Sequence, residues 1–99
     1  MMEIPDIDVA DLLRNSKIRV NPEQSEEIQA FIYSIGGGWF GTPDFRIRYT
    51  DMPYLFIDSA FFMRPGGFDK ALFLLSPYRE MTYREAQEIA IEYYSNLFY

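Results

Sequence analysis

Lys17-Ile18-Arg19-Val20-Asn21-Pro22-Glu23-Gln24-Ser25-Glu26-Glu27-Ile28-Gln29-Ala30-Phe31-Ile32-Tyr33-Ser34-Ile35-Gly36 changes its hydrophobic period in mid-course. The first four residues alternate polar and apolar, as a half-buried strand does. Beyond Asn21 the apolar residues Ile28, Phe31, Ile32 and Ile35 recur at i, i+3, i+4 and i+7, the stripe of an amphipathic helix. The switch point carries a helix start. Asn21 can cap, Pro22 suits the first helical position, and Gln24 can reach back as a capping-box partner. Gly36 supplies the left-handed residue that commonly ends such a helix. Glu23, Glu26, Glu27 and Gln29 are expected on the side away from the stripe. With the run of strands and the last helix that follow, this strand and helix give the fold class α+β.

Both periods recur further along the chain. Phe45-Arg46-Ile47-Arg48-Tyr49 alternates and predicts a strand with Arg46 and Arg48 on one face. After the turn Thr50-Asp51-Met52-Pro53, Tyr54-Leu55-Phe56-Ile57-Asp58 predicts another strand, which Ala60 to Met63 either prolongs or follows with a short one. Arg64-Pro65-Gly66-Gly67 is a second turn, and the apolar run Ala71-Leu72-Phe73-Leu74-Leu75 reads as a central strand stopped by Ser76-Pro77. Thr82-Tyr83-Arg84-Glu85 forms a capping box for a helix over 83–96, with Ala86, Ile89, Ala90, Tyr93 and Leu97 at helical spacing. Residues 1–16 are expected to form a short helix or arm. The expected architecture is one domain over 1–99, a small, mainly antiparallel sheet of about four strands with two amphipathic helices on one face. The order of elements would be (α)-β-α-β-β-β-α.

Composition narrows the chemistry. The 99 residues include no Cys and no His, which removes disulfides, thiolate and imidazole catalysis, and the usual zinc ligand sets. Asp6, Asp8 and Asp11 lack the glycine and distal glutamate of a calcium loop. Ser25, Ser34, Ser59 and Ser76 have no histidine base. These features point to a protein that is not an enzyme, with neither metal nor cofactor. The net charge of −6 argues against a direct nucleic-acid partner, and serves either solubility or an acidic face for a basic partner. Nine Phe, eight Tyr and one Trp are more rings than one small core holds, so several should be exposed for contact. The start, Met1-Met2-Glu3-Ile4-Pro5-Asp6, does not read as a signal peptide, and no apolar run approaches a membrane span, so the expected location is cytoplasmic.

Three places invite a partner. The loop Gly36-Gly37-Gly38-Trp39-Phe40 follows a helix and lacks a lysine, so it is not a phosphate loop. It is either a helix C-cap with a supple loop, or a ligand loop in which Trp39 or Phe40 stacks on a small molecule. Arg46 and Arg48, beside Tyr49, either grip a phosphate or carboxylate or face solvent paired with nearby acids. Glu23, Glu26 and Glu27 offer an acidic helix face to a basic protein. The apolar end Leu97-Phe98-Tyr99 is expected to be packed down or used between subunits.

Ile18-Arg19-Val20-Asn21-Pro22-Glu23-Gln24-Ser25, followed by Glu27-Ile28-Gln29 and Ile35-Gly36-Gly37-Gly38-Trp39, resembles a family of small tailed-bacteriophage proteins. In these a strand leads into a Pro-Glu-x-Ser-x-x-x-Gln helix and then a Gly/Trp loop. Tyr49 to Ile57 and the helix start at Thr82 to Glu85 look like later blocks of the same family. The resemblance implies a small protein made in the cytoplasm of an infected bacterium, where it binds and inhibits a host protein, such as a defence protein. The other functions considered are a non-catalytic, homo-oligomeric sponge for a nucleotide-like molecule, built on Trp39, Arg46 and Arg48, and a virion or assembly component.

Overall fold

Asn21 accepts the Gln24 amide at 2.8 Å and Gln24 Oε1 accepts the Asn21 amide at 3.0 Å, so the capping box closes on both sides in the computed structural model. Thr82 and Glu85 exchange the same pair of bonds, at 3.0 and 3.1 Å. The structure describes residues 6–42 and 44–97. Its elements are α1 (Asp6–Leu13), β1 (Ser16–Arg19), α2 (Pro22–Ser34), β2 (Gly38–Trp39), β3 (Tyr54–Ile57), β4 (Phe62–Pro65), α3 (Lys70–Leu75), β5 (Arg79–Met81) and α4 (Tyr83–Leu97). The protein is α+β, with a five-stranded mixed sheet in the order β2-β4-β3-β1-β5. The β1–β3 and β3–β4 pairs are antiparallel, while β1–β5 and β2–β4 are parallel.

Register decides which side chains meet. Ile18 lies between Leu55 on β3 and Met81 on β5, and Ile57 faces Met63 on β4. These five are buried on one face, together with Val9, Ala10 and Leu13 of α1, the whole Ile28, Phe31, Ile32 and Ile35 stripe of α2 and its C-cap, and Ala86 and Tyr93 of α4. Alternation sends Lys17, Tyr54 and Phe56 to the opposite face. Gly36 takes φ +98° at the end of α2, as its role there requires. A Cβ on Gly37 would come within 2.8 Å of both Ile32 and Phe61, so the loop can cross the core only where glycine stands.

Two expected strands are not strands. Residues 71–75 belong to the helix α3, because the Asp69 carboxylate accepts the Ala71 and Leu72 amides at 2.9 and 3.3 Å and starts a turn. Ala, Leu and Lys favour helices, and this run holds no β-branched residue to oppose them. Residues 45–49 are irregular, with Tyr49 at φ +56°, and the Arg46 carbonyl and both backbone groups of Arg48 bond side chains of α2 instead of a neighbouring strand. In compensation, the short β2 and β5 join the sheet edges through parallel pairs that alternation alone does not signal. The sheet therefore has five strands, half of its pairings parallel, in place of about four mainly antiparallel ones.

The α3 helix covers the face opposite α1, α2 and α4. Phe73 is fully buried there, stacked on Tyr54 (ring centroids 4.5 Å apart) and on Phe56 (6.0 Å). The buried Lys17 lies beneath it. Its Nζ donates to the carbonyls of Phe73 (2.6 Å), Ser76 (2.9 Å) and Leu74 (3.3 Å), at the negative end of the helix, and sits 5.0 Å from the Phe73 ring centroid.

Candidate functional site

The residues singled out in the sequence separate into three neighbourhoods. Trp39, one of two rings offered for stacking in the ligand-loop alternative, is core. It is 3% exposed, its Nε1 donates to Gln29 Oε1 at 3.0 Å, and Tyr49 meets it edge to face at 5.0 Å. A ring with its N–H satisfied and its faces packed serves the fold. Arg48 turns back on Asp44 at 2.7 Å, and Arg46 is held through its own carbonyl, which accepts the Tyr33 hydroxyl. Neither lies on a sheet face. Phe40 is exposed at the far edge of the sheet, edge to face with Phe62 and 4.1 Å below the Arg64 guanidinium. Phe98 and Tyr99 lie outside the described residues.

Gln29 departs most from its expected place. It is fully buried instead of standing on the polar side of α2. Its Nε2 donates to Ser25 Oγ (2.9 Å) and the Arg48 carbonyl (2.7 Å), while Oε1 accepts the Trp39 indole and the Arg48 amide (2.9 Å). One primary amide thus uses two donors and two acceptor lone pairs, and it pairs with Arg48 as a strand backbone would. This network ties the irregular segment to α2 and to Trp39.

Asp58 organises the β3–β4 turn. Its Oδ1 accepts the Ala60 and Phe62 amides, each at 2.9 Å, and Oδ2 pairs with Arg64 at 2.7 Å. Burial by itself would raise this carboxyl. The hydrogen bonds from Phe62, Arg64 and Ala60, with the Arg64 charge, outweigh it and hold the group below its ordinary value.

One of the acidic residues, Glu27, lines a concave, mainly apolar surface. Glu23, Glu26 and Glu27 are exposed on α2, and α2 runs beside α4 to leave a groove of about 370 Å³. Ile28, Phe31, Ala86 and Ala90 lie along it, and Ala30, Gln87 and the exposed Ile91 and Tyr94 complete its apolar walls. Contacts at the two ends give the helices a common direction. The Tyr83 hydroxyl at the start of α4 donates to the Glu27 carboxylate midway along α2, and Ser34 Oγ lies 3.1 Å from the Tyr94 hydroxyl near the end of both. The bond to Glu27, then partial burial and the carboxylate charge, raise the Tyr83 phenol above its ordinary value. Gln87 Nε2 donates to the same hydroxyl at 3.3 Å. Tyr83 and Tyr94 thus serve as groove wall while Tyr93 between them joins the core, a division that helical spacing alone does not make.

Among the described residues no three carboxylates gather into a metal-binding group, and no helix is long and apolar enough to cross a membrane. Compared with known proteins, the chain matches no family model, no curated protein and no solved structure.

Proposed function

We propose that this chain is a non-catalytic protein-binding module, a phage-type inhibitor that acts in the bacterial cytoplasm by capturing a basic amphipathic helix of a host protein in the α2–α4 groove. The observation that carries the reading is an apolar groove bordered by acid. Exposed Ile91 and Tyr94 offer hydrophobic contact, Glu27 stands in one wall, and Glu23 and Glu26 are exposed on the same helix. An amphipathic helix laid in such a groove buries its apolar stripe and sets lysines or arginines against the rim. The volume of about 370 Å³ suits a few anchoring side chains.

Fluorescence anisotropy of a labelled helical peptide made of leucine and lysine tests this directly. It should bind, whereas a leucine–glutamate peptide of equal helicity should not. Ile91→Glu should abolish binding. Replacing Glu23, Glu26 and Glu27 together by Gln should slow association several-fold in low salt and have little effect in high salt. Equal affinity for both peptides, or binding untouched by Ile91→Glu, would discard the groove as the docking site.

A further inference from the structure

The α2–α4 groove differs at its two ends. Tyr83, Glu27 and Gln87 stand together at the end where α4 begins, while Ile91 and Tyr94, beside Phe31, wall the other. Among the lining residues Glu27 carries the one formal charge. Among the described residues no lysine or arginine pairs with it. Its carboxylate accepts the Tyr83 hydroxyl, which in turn accepts Gln87 Nε2 at 3.3 Å, so two neutral groups aim the charge without cancelling it. At the opposite end the Tyr94 hydroxyl is turned to Ser34 Oγ, 3.1 Å away, and its ring meets Phe31 edge to face at 5.6 Å. That end offers ring and aliphatic surface.

The two ends are held apart by a fixed length of helix. The two turns of α4 from Tyr83 to Ile91 span ~12 Å, at ~1.5 Å per residue. A second helix laid along the groove covers that distance in about two turns, and its residues seven apart return to the same face. Direction follows from the backbone. The amide end of α4, which carries partial positive charge, lies at the Glu27 end of the groove. A helix running antiparallel to α4 sets its carbonyl end there, where its own dipole already favours a lysine or arginine.

We infer that the groove accepts its partner in one direction and one register: a helix antiparallel to α2 and α4, with a large apolar side chain between Ile91 and Tyr94 and, seven residues later, a lysine or arginine on the Glu27 carboxylate. This rests on the groove being a helix acceptor, as proposed above. It goes further by making Glu27 the residue that selects among amphipathic helices and Tyr83 the positioning residue that aims it. A carboxylate accepts more than one hydrogen bond, so the incoming cation joins the Tyr83 hydroxyl and does not displace it. Glu23 and Glu26 do not line the groove. They affect how fast a cation arrives and not where it lands.

Two labelled peptides of the same composition and equal helicity test this by fluorescence anisotropy. Both carry one leucine stripe and a single lysine, placed seven residues after the leading leucine in one and seven residues before the last leucine in the other. The first should bind the unaltered chain roughly fivefold more tightly. Glu27→Gln should bring the two to equal affinity, whereas Glu23→Gln should leave the preference intact. Tyr83→Phe should narrow the preference while leaving unchanged the binding of a third peptide with methionine in place of lysine, a readout that damage to the groove would move. Equal affinity of the unaltered chain for both orders, a preference for the reverse order, or a preference that survives Glu27→Gln would each overturn the inference. Ile91→Glu distinguishes the two failures. If both orders bind equally and Ile91→Glu abolishes both, the groove stands and the register falls. If no peptide binds the unaltered chain, or Ile91→Glu leaves binding untouched, the groove reading falls and the register with it.

Discussion

On one face of the sheet α1, α2 and α4 bury Ile18, Leu55, Ile57, Met63 and Met81 beneath their apolar stripes; on the other, α3 covers Tyr54 and Phe56 with Phe73 alone. The first face is held by area. Each apolar side chain taken fully out of water contributes about 1.5–3 kcal/mol, and more than a dozen do so together. The second face is held by direction, since one ammonium group fixes three carbonyls at the end of a single turn and a half of helix. A face with few apolar contacts opens locally at lower cost than the domain unfolds. The difference explains how α3 can present leucines to solvent while the fold beneath it stays specified.

Ile32→Ala should produce the largest effect. The side chain is fully buried and touches the glycine loop, so its loss should cost about 2–5 kcal/mol and lower the denaturation midpoint of the whole domain. Lys17→Met keeps the length of the side chain and removes its three hydrogen bonds. The cost should be about 1–3 kcal/mol and local. Amide exchange should quicken at Phe73 and Ser76 while Ile18 and Leu55 stay protected. A uniform loss of protection would break the distinction between the two faces.

The smallest effect is one of pH. Asp58 is held below its ordinary value in the fold, so it contributes stability that is present above the unfolded carboxyl's pKa, ~3.9, and lost as the pH falls through the lower folded value. Acid should therefore loosen the β3–β4 turn first, seen as faster exchange at Ala60 and Phe62, whose amides it accepts. Asp58→Asn should flatten that dependence. An unchanged acid limb in the variant would assign the effect to other carboxylates.

Where local chemistry and burial agree, the sequence is legible. The capping boxes at Asn21 and Thr82 and the stripe from Ile28 to Ile35 stand where periodicity places them. Residues 71–75 carry two conflicting signals: Asp69 before Lys-Ala-Leu is an N-cap, while the continuous apolar run reads as a buried strand. Nothing local reveals β5, since Arg79–Met81 pairs with a strand some sixty residues earlier. The same limit governs the sites. Glu23, Glu26 and Glu27 were visible as an acidic face, whereas the groove beside them depends on how α2 meets α4. Trp39 and Arg48 looked available because their partner, Gln29, was assigned to solvent.

That glutamine has a consequence for how the gene can drift. Its amide replaces a strand partner for Arg48 and meets four groups at once, so the position has almost no synonyms among the amino acids. Glutamate keeps the shape but offers no donor to Ser25 or the Arg48 carbonyl, and asparagine falls one methylene short. Exposed glutamates on α2 such as Glu23 and Glu26 can be exchanged at little cost to the fold. Residue 29 is fixed by hydrogen bonds inside the molecule, and a lineage changing its surface would have to carry this one glutamine along unaltered.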